Sequence, residues 1–334
     1  MNPPKCDDLD YIHFLVAAQK AFTCTEAARC QPSGDSSPPA HDAFTRLLQR
    51  QPLDTEALWQ ESKQLVRKEQ GSLVLDDTTL DKPYSEKMEL VTYHWSGKHH
   101  GVVKGINLLT LLWSDGTAHI PCDFRVYNME VDGLTKNDHF KAMLKTAWER
   151  GFKPDYVIFD SWYSSLENLK LVRSFGWHFF TRLKENRLVN PTGERKGNVN
   201  VSTVEIPPQG RVVHLMGFGM VRVFRTVSRE GDVEYYATDS LEADGAECGV
   251  LSALGWRIEE YHRGIKQCCG VERAQVRSAS AMINHIGMSL RAFLRLEAYR
   301  LRTKISWYEA KAALIRDAIR AYLAQPIYLL SPTA

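Results

Sequence analysis

Hydrophobic and polar positions change rhythm several times along the chain. Over residues 11–28, 43–50 and 56–69 apolar residues recur at helical spacing, and the Pro-, Ser- and Gly-rich stretch 31–39 between the first two is loop. From Gly71 the period shortens to that of strands. Ser72-Leu73-Val74-Leu75 runs into Asp76-Asp77, residues 88–95 alternate, 102–113 form a longer apolar run closed by Ser114-Asp115-Gly116, and 118–127 return. Residues 135–151 read as a helix, capped by Thr135 with Asp138 three positions on, and with Phe140, Met143, Leu144 and Ala147 on one face. A strand over 155–160 then ends in Asp160, a helix covers 164–176, and another strand covers 177–183.

A meander, a crossover helix, a strand, a helix and a strand form the ribonuclease H-like order. The pattern therefore predicts an α/β fold, a ribonuclease H-like mixed sheet flanked by helices. Residues 186–240 depart from it. Their β-type segments, 198–206, 210–215, 220–228 and 233–238, are separated by Pro, Gly and Asn and read as a β-rich insertion. From Glu247 the chain is helical again, over 256–269, 281–300 and 307–324. The expected divisions are a helical N-terminal region over 1–69, the first part of the core over 70–185, the insertion over 186–240, the rest of the core over 241–300 and a helical tail over 301–334.

Composition narrows the class. With 334 residues, 44% hydrophobic and 25% charged, the chain is not disordered as a whole. No apolar run reaches the ~18–20 residues of a membrane span, and the opening residues lack the apolar core of a secretory signal. Seven cysteines without regular spacing read as reduced thiols, which predicts a cytoplasmic protein without a membrane partner. The net charge of +2 is unevenly spread. Residues 1–60 are acidic. Residues 181–230 hold nine basic side chains, among them Arg182, Lys184, Arg187, Arg222, Arg225 and Arg229, against four acidic ones, and residues 256–304 hold ten against four. Two basic stretches on a near-neutral chain suggest a polyanion met by particular surfaces.

Chemistry is to be sought where polar groups end buried strands. Asp77 follows one apolar run and Asp160 another, each at a sheet rim where loops build sites. Glu259 falls on a predicted helix and shares a face with Arg263 and Lys266. Taken singly, each has a plainer reading, as a turn cap or as an i,i+4 charged stripe. Adjacent rather than alternating acids depart from the Asp-x-Asp-x-Thr of a haloacid-dehalogenase-type phosphatase, which makes that the weaker reading. Gly217-Phe218-Gly219 precedes no helix, so no nucleotide loop is formed. Trp162, Tyr163 and Trp177 read as core residues rather than base-stacking ones, and His94, His99 and His100 as surface histidines.

In combination these segments are specific. Val74-Leu75-Asp76-Asp77-Thr78-Thr79-Leu80-Asp81-Lys82, Ile158-Phe159-Asp160-Ser161-Trp162-Tyr163-Ser164-Ser165 and Trp256-Arg257-Ile258-Glu259-Glu260-Tyr261-His262-Arg263-Gly264-Ile265-Lys266-Gln267 resemble, in order, the three acidic motifs of bacterial insertion-sequence transposases of the DDE class. The likeness continues through Asn284-His285-Ile286 and Arg291–Glu297. It implies catalytic, metal-holding roles for Asp77, Asp160 and Glu259, with Asp77 preferred to Asp76 because the family's Asp directly precedes the Thr. Two Mg²⁺ ions, for which Mn²⁺ substitutes, would serve in-line attack on a phosphodiester, without an organic cofactor. Lys266 matches the family's basic position. Ser252 and Gly255 stand where the related Tyr–Arg–Glu–Lys signature has Tyr and Arg, with His262 and Arg263 as substitutes. The resemblance further implies double-stranded DNA, both transposon ends and target, as partner, and a homodimer on it. Arg182, Lys184, Arg187, Arg222, Arg225, Arg273 and Arg277 are expected to join Lys266, Arg263 and His262 on the DNA. Other readings are a related nuclease that cuts without strand transfer and a DNA-binding relic without activity.

Overall fold

The computed structural model describes residues 4–32, 38–53, 55–96, 101–228 and 231–326. In chain order it forms α1 (Asp8–Ala17), α2 (Cys24–Arg29), α3 (His41–Arg50), α4 (Glu56–Ser62), β1 (Ser72–Asp81), β2 (Thr92–Ser96), β3 (Gly101–Ser114), β4 (Ile120–Tyr127), α5 (Met129–Asp132), α6 (Lys136–Glu149), β5 (Tyr156–Phe159), α7 (Leu166–Ser174) and β6 (His178–Leu183). It continues with β7 (Leu188–Val189), β8 (Val199–Asn200), β9 (Arg211–Leu215), β10 (Gly219–Val227), β11 (Val233–Thr238), α8 (Gly245–Gly255), α9 (Arg257–Cys269), α10 (Ala279–Thr303) and α11 (Trp307–Ala324). The chain divides into two compact units, one of residues 54–262 and one of residues 1–53 with 263–334.

In the unit 54–262 the main sheet has the order β2-β3-β1-β5-β6-β11-β10-β9, with β4 also paired to β3. β4, β3 and β1 are antiparallel neighbours, whereas β1, β5 and β6 run parallel. This is the ribonuclease H-like order read from the pattern. Its centre is buried as an interior strand requires: Leu73, Val74 and Leu75 of β1 and Val157 of β5 are at most 1% exposed. Gly71, at φ +75, turns the chain into β1 in a backbone region that a side chain would strain. The crossover helix α6 starts on the expected capping box, with Thr135 accepting from the Asp138 N–H and Asp138 accepting from the Thr135 N–H. Phe140, Met143, Leu144 and Ala147 are buried on α6, as their spacing predicts.

Among the described residues of 186–240, β11, β10 and β9 continue the main sheet antiparallel beyond β6, and β7 and β8 pair in a small sheet of their own. Turn residues mark these strands in the sequence, but no local pattern carries the edge that they join.

In the other unit, α10 is held to α1 and α3 by polar groups from the outer part of the family-like stretch. Tyr11 Oη lies 3.0 Å from His285 Nδ1, Asn284 donates to the carbonyls of Leu48 and Gln51, and Arg291 pairs with Asp8 at 2.5 Å. Lys311 of α11 donates to the carbonyls of Leu15 and Val16 at the end of α1. These buried donors replace lost water, and each would be costly to leave unpaired.

A carboxylate cleft as candidate active site

The register of β1 and β5 decides which acids meet. Ser72 pairs with Tyr156 and Leu75 with Phe159, so the next residues in step are Asp76 and Asp160. Side chains alternate across a sheet, and Val74, Asp76, Ile158 and Asp160 therefore share one face. Together with Glu259 they line a cleft of about 530 Å³. Glu259 reaches it because α8 packs on β5 and the chain turns at Trp256 to begin α9, with Glu259 in its first turn. Gly255 makes this approach possible: a Cβ there would lie 3.2 Å from Ile158 Cγ2. Glu260 is engaged elsewhere, with Arg257 at 2.8 Å and His119 at 3.1 Å.

Asp77, the acid chosen from the sequence, points to the opposite face. Its carboxylate accepts from Asn107 Nδ2, Lys136 Nζ and Tyr163 Oη, each at 2.7 Å. The residue before Thr was preferred by analogy of motif, whereas strand alternation places the residue before it beside Asp160. The charges of the two aspartates differ accordingly. Burial, then the nearby Asp160, Asp77 and Glu259 carboxylates, push Asp76 well above the usual carboxylate range. Burial also pushes Asp77 up, but the Lys136 ammonium and the three hydrogen bonds outweigh it and hold the group low. Asp160 is raised by burial and by Asp77, against hydrogen bonds from backbone N–H groups that include Trp162.

Asp76 and Asp160, both raised by burial and by neighbouring carboxylates, offer oxygen donors of the kind a hard divalent ion takes. As the side chains stand, no three His, Cys, Asp or Glu among the described residues form a closed ligand set. Asp76, Asp160 and Glu259 line the cleft walls and supply oxygen donors only.

The basic residues separate into several groups. Arg182 is exposed, lines the cleft, and pairs with Glu234 at 2.9 Å. Lys184 is exposed and Arg187 half-buried. Arg222 is spent on the protein itself, donating to the carbonyls of Leu241 and Gln209 at 2.8 and 3.1 Å. Arg225, three positions on in β10, is exposed on the other face. In the other unit Arg263, Arg273 and Arg277 are exposed, Lys266 is half-buried with Glu272 at 4.0 Å, and His262, where the units divide, is 3% exposed and belongs to the interior. Tyr163 and Trp177 are buried as expected, but Trp162 is 57% exposed, and His94, read as a surface residue, is 8% exposed. His99, His100 and Arg229 lie outside the described residues, as does part of the 31–39 loop. Sequence reasoning passed over Asn107 and Lys136, whose distance from the motifs in the chain hides their contact with Asp77.

Asp76 within β1, Asp160 just past β5 and Glu259 in the first turn of α9 line one cleft of a ribonuclease H-like sheet. The family model described as DDE superfamily endonuclease matches residues 24–200, more than half of the chain, and the chain belongs to that family. Among solved structures, a piggyBac transposase in a cryo-EM synaptic complex with hairpin DNA is similar at 8% identity and a TM-score of 0.47, covering 96% of this chain and 83% of that one. No curated protein matches the chain.

Proposed function

We propose that this DDE endonuclease is a DNA transposase that cuts at transposon ends and joins the freed 3′-hydroxyl to target DNA, working on double-stranded DNA as a homodimer in the cytoplasm. The observation that carries the reading is the meeting of Asp76, Asp160 and Glu259 at one cleft, from a strand, the next parallel strand and a helix. Asp76, Asp160 and Glu259 would hold two Mg²⁺, or Mn²⁺ in their place. When bound, such ions activate the attacking oxygen and stabilise the leaving one.

The protein's own part is positional. Asp76 is fixed by the buried centre of β1, and its neighbour Asp77 anchors that strand from behind through Lys136, Asn107 and Tyr163. Asp160 is oriented by the Trp162 N–H at 2.9 Å. Arg182 stands in the cleft wall, where a guanidinium can take a phosphate without competing for the metals. Arg225, Arg263, Arg273 and Arg277 are exposed and suited to phosphate contacts.

The deciding assay incubates the chain with its own flanking DNA and Mg²⁺. Nicked ends followed by joined products are expected. Nicks without joining would leave the simple nuclease, and intact DNA that is nevertheless bound would leave the relic.

A further inference from the structure

Trp162 is the aromatic residue of the second acidic motif that the core does not absorb. Tyr163 beside it is fully buried, yet the indole of Trp162 is 57% exposed while its backbone N–H holds Asp160. Two ammonium groups border the ring. Lys136 Nζ lies 5.6 Å from its centroid and is fixed by Asp77, whereas Lys184 Nζ lies 5.9 Å away on an exposed side chain. Beside it runs a second hollow of about 620 Å³, lined by Ser161, Arg182, Lys184, Asn186, Glu185 and Glu234 among others. Arg182 and Glu234 line the carboxylate cleft as well, so the two hollows adjoin. Of the two acids here, Glu234 is paired with Arg182, while Glu185 is exposed and works against a polyanion.

We infer that Trp162 and this second hollow receive unpaired nucleotides next to the scissile phosphate, one base stacking on the indole while Lys184 and Arg182 meet the flanking phosphates. The inference rests on the nuclease reading above and adds a single-strand subsite to it. An accessible aromatic face bordered by cations is what single-stranded nucleic acid needs, because every base has a π-face and every linkage a charge. A base can take the place of Lys184 over the ring, since that side chain is long, exposed and held only at the edge of cation–π range. The site selects by strandedness rather than by sequence, since stacking reads no base edge.

The test uses the full chain in EDTA with two DNAs, a blunt duplex and the same duplex ending in a short single-stranded tail that carries 2-aminopurine. The tailed DNA is expected to bind about tenfold more tightly than the blunt one, with quenched fluorescence, as one stacked base would give. Trp162→Ala should bring the ratio close to one, and Trp162→Phe should keep most of it. An unchanged ratio in Trp162→Ala overturns the inference, as does a loss confined to Trp256→Ala, the exposed tryptophan of the carboxylate cleft. A chain that cuts duplex ends but shows no tail preference sinks this inference alone. A chain that prefers and quenches the tail but never cuts in Mg²⁺ or Mn²⁺ sinks the nuclease reading alone.

Discussion

Asp76 and Asp77 are consecutive in β1 and face opposite sides of the sheet. One lines the carboxylate cleft with Asp160 and Glu259, and the other accepts three hydrogen bonds from Asn107, Lys136 and Tyr163. Their substitutions should therefore fail in different ways. Asp76→Asn is expected to abolish cleavage and leave the melting temperature unchanged or raised, because it removes a crowded charge. Asp77→Ala strands the half-buried Lys136 ammonium and should cost about 3 kcal/mol of stability. Paired melting curves and nicking assays check this. Full cleavage by Asp76→Asn would return the metal role to Asp77.

Glu259 and Glu260 allow a parallel comparison. Glu259 lines the cleft, while Glu260 is shared by Arg257 and His119. Glu259→Gln should eliminate cleavage yet bind DNA as the parent does. Glu260→Gln should still cut, and should lose about 1 kcal/mol by weakening its charged hydrogen bonds. Activity surviving in the first variant and vanishing in the second would exchange the two assignments.

Much of this was legible in the sequence, and the part that was not has a physical cause. The order of core elements could be read because Leu73–Leu75, Val157–Phe159 and the face of α6 carry their periodicities openly. The capping box at Thr135 was as plain. Register was not legible, because a slip of one residue exchanges the two faces of a strand, and two adjacent acids leave the face undecided. The partners of Asp77 lie 30, 59 and 86 positions away, beyond any local pattern. Strands β9–β11 showed their strand character but not the edge they extend. His262 sits in a run of charged residues, yet α9 turns it inward.

Gly255 gives a third prediction. Its place above Ile158 leaves little room for a side chain, with the first added carbon 3.2 Å from Ile158 Cγ2. Gly255→Val should push the start of α9 away from β5, costing about 1–3 kcal/mol as overpacking does. Cleavage should fall by more than the stability loss explains, since Glu259 moves with the helix. Melting and nicking measured at a temperature where the variant is fully folded separate the two effects. Normal cleavage in the folded variant would mean that the approach of α8 to β5 does not set the position of Glu259.

Arg222 and Arg225 test whether β10 meets DNA. Both were expected on DNA, yet the strand turns them to opposite faces. Arg222 donates to the carbonyls of Leu241 and Gln209, and those groups would be left without a charged donor if it were removed. Arg225 is exposed. A phosphate contact shows itself in the salt dependence of binding, because each neutralised phosphate releases counterions and contributes about 0.9 to the slope of log K against log salt. Arg225→Ala should flatten that slope by about one unit and leave the melting temperature alone, as surface substitutions do. Arg222→Ala should do the reverse, losing about 1–2 kcal/mol of stability for its two carbonyl bonds while keeping the slope. Binding titrations over a range of salt, set beside melting curves, read both quantities on the same samples. If Arg222→Ala flattens the slope and Arg225→Ala does not, DNA lies on the other face of β10 and Arg222 gives up its carbonyl partners to reach it.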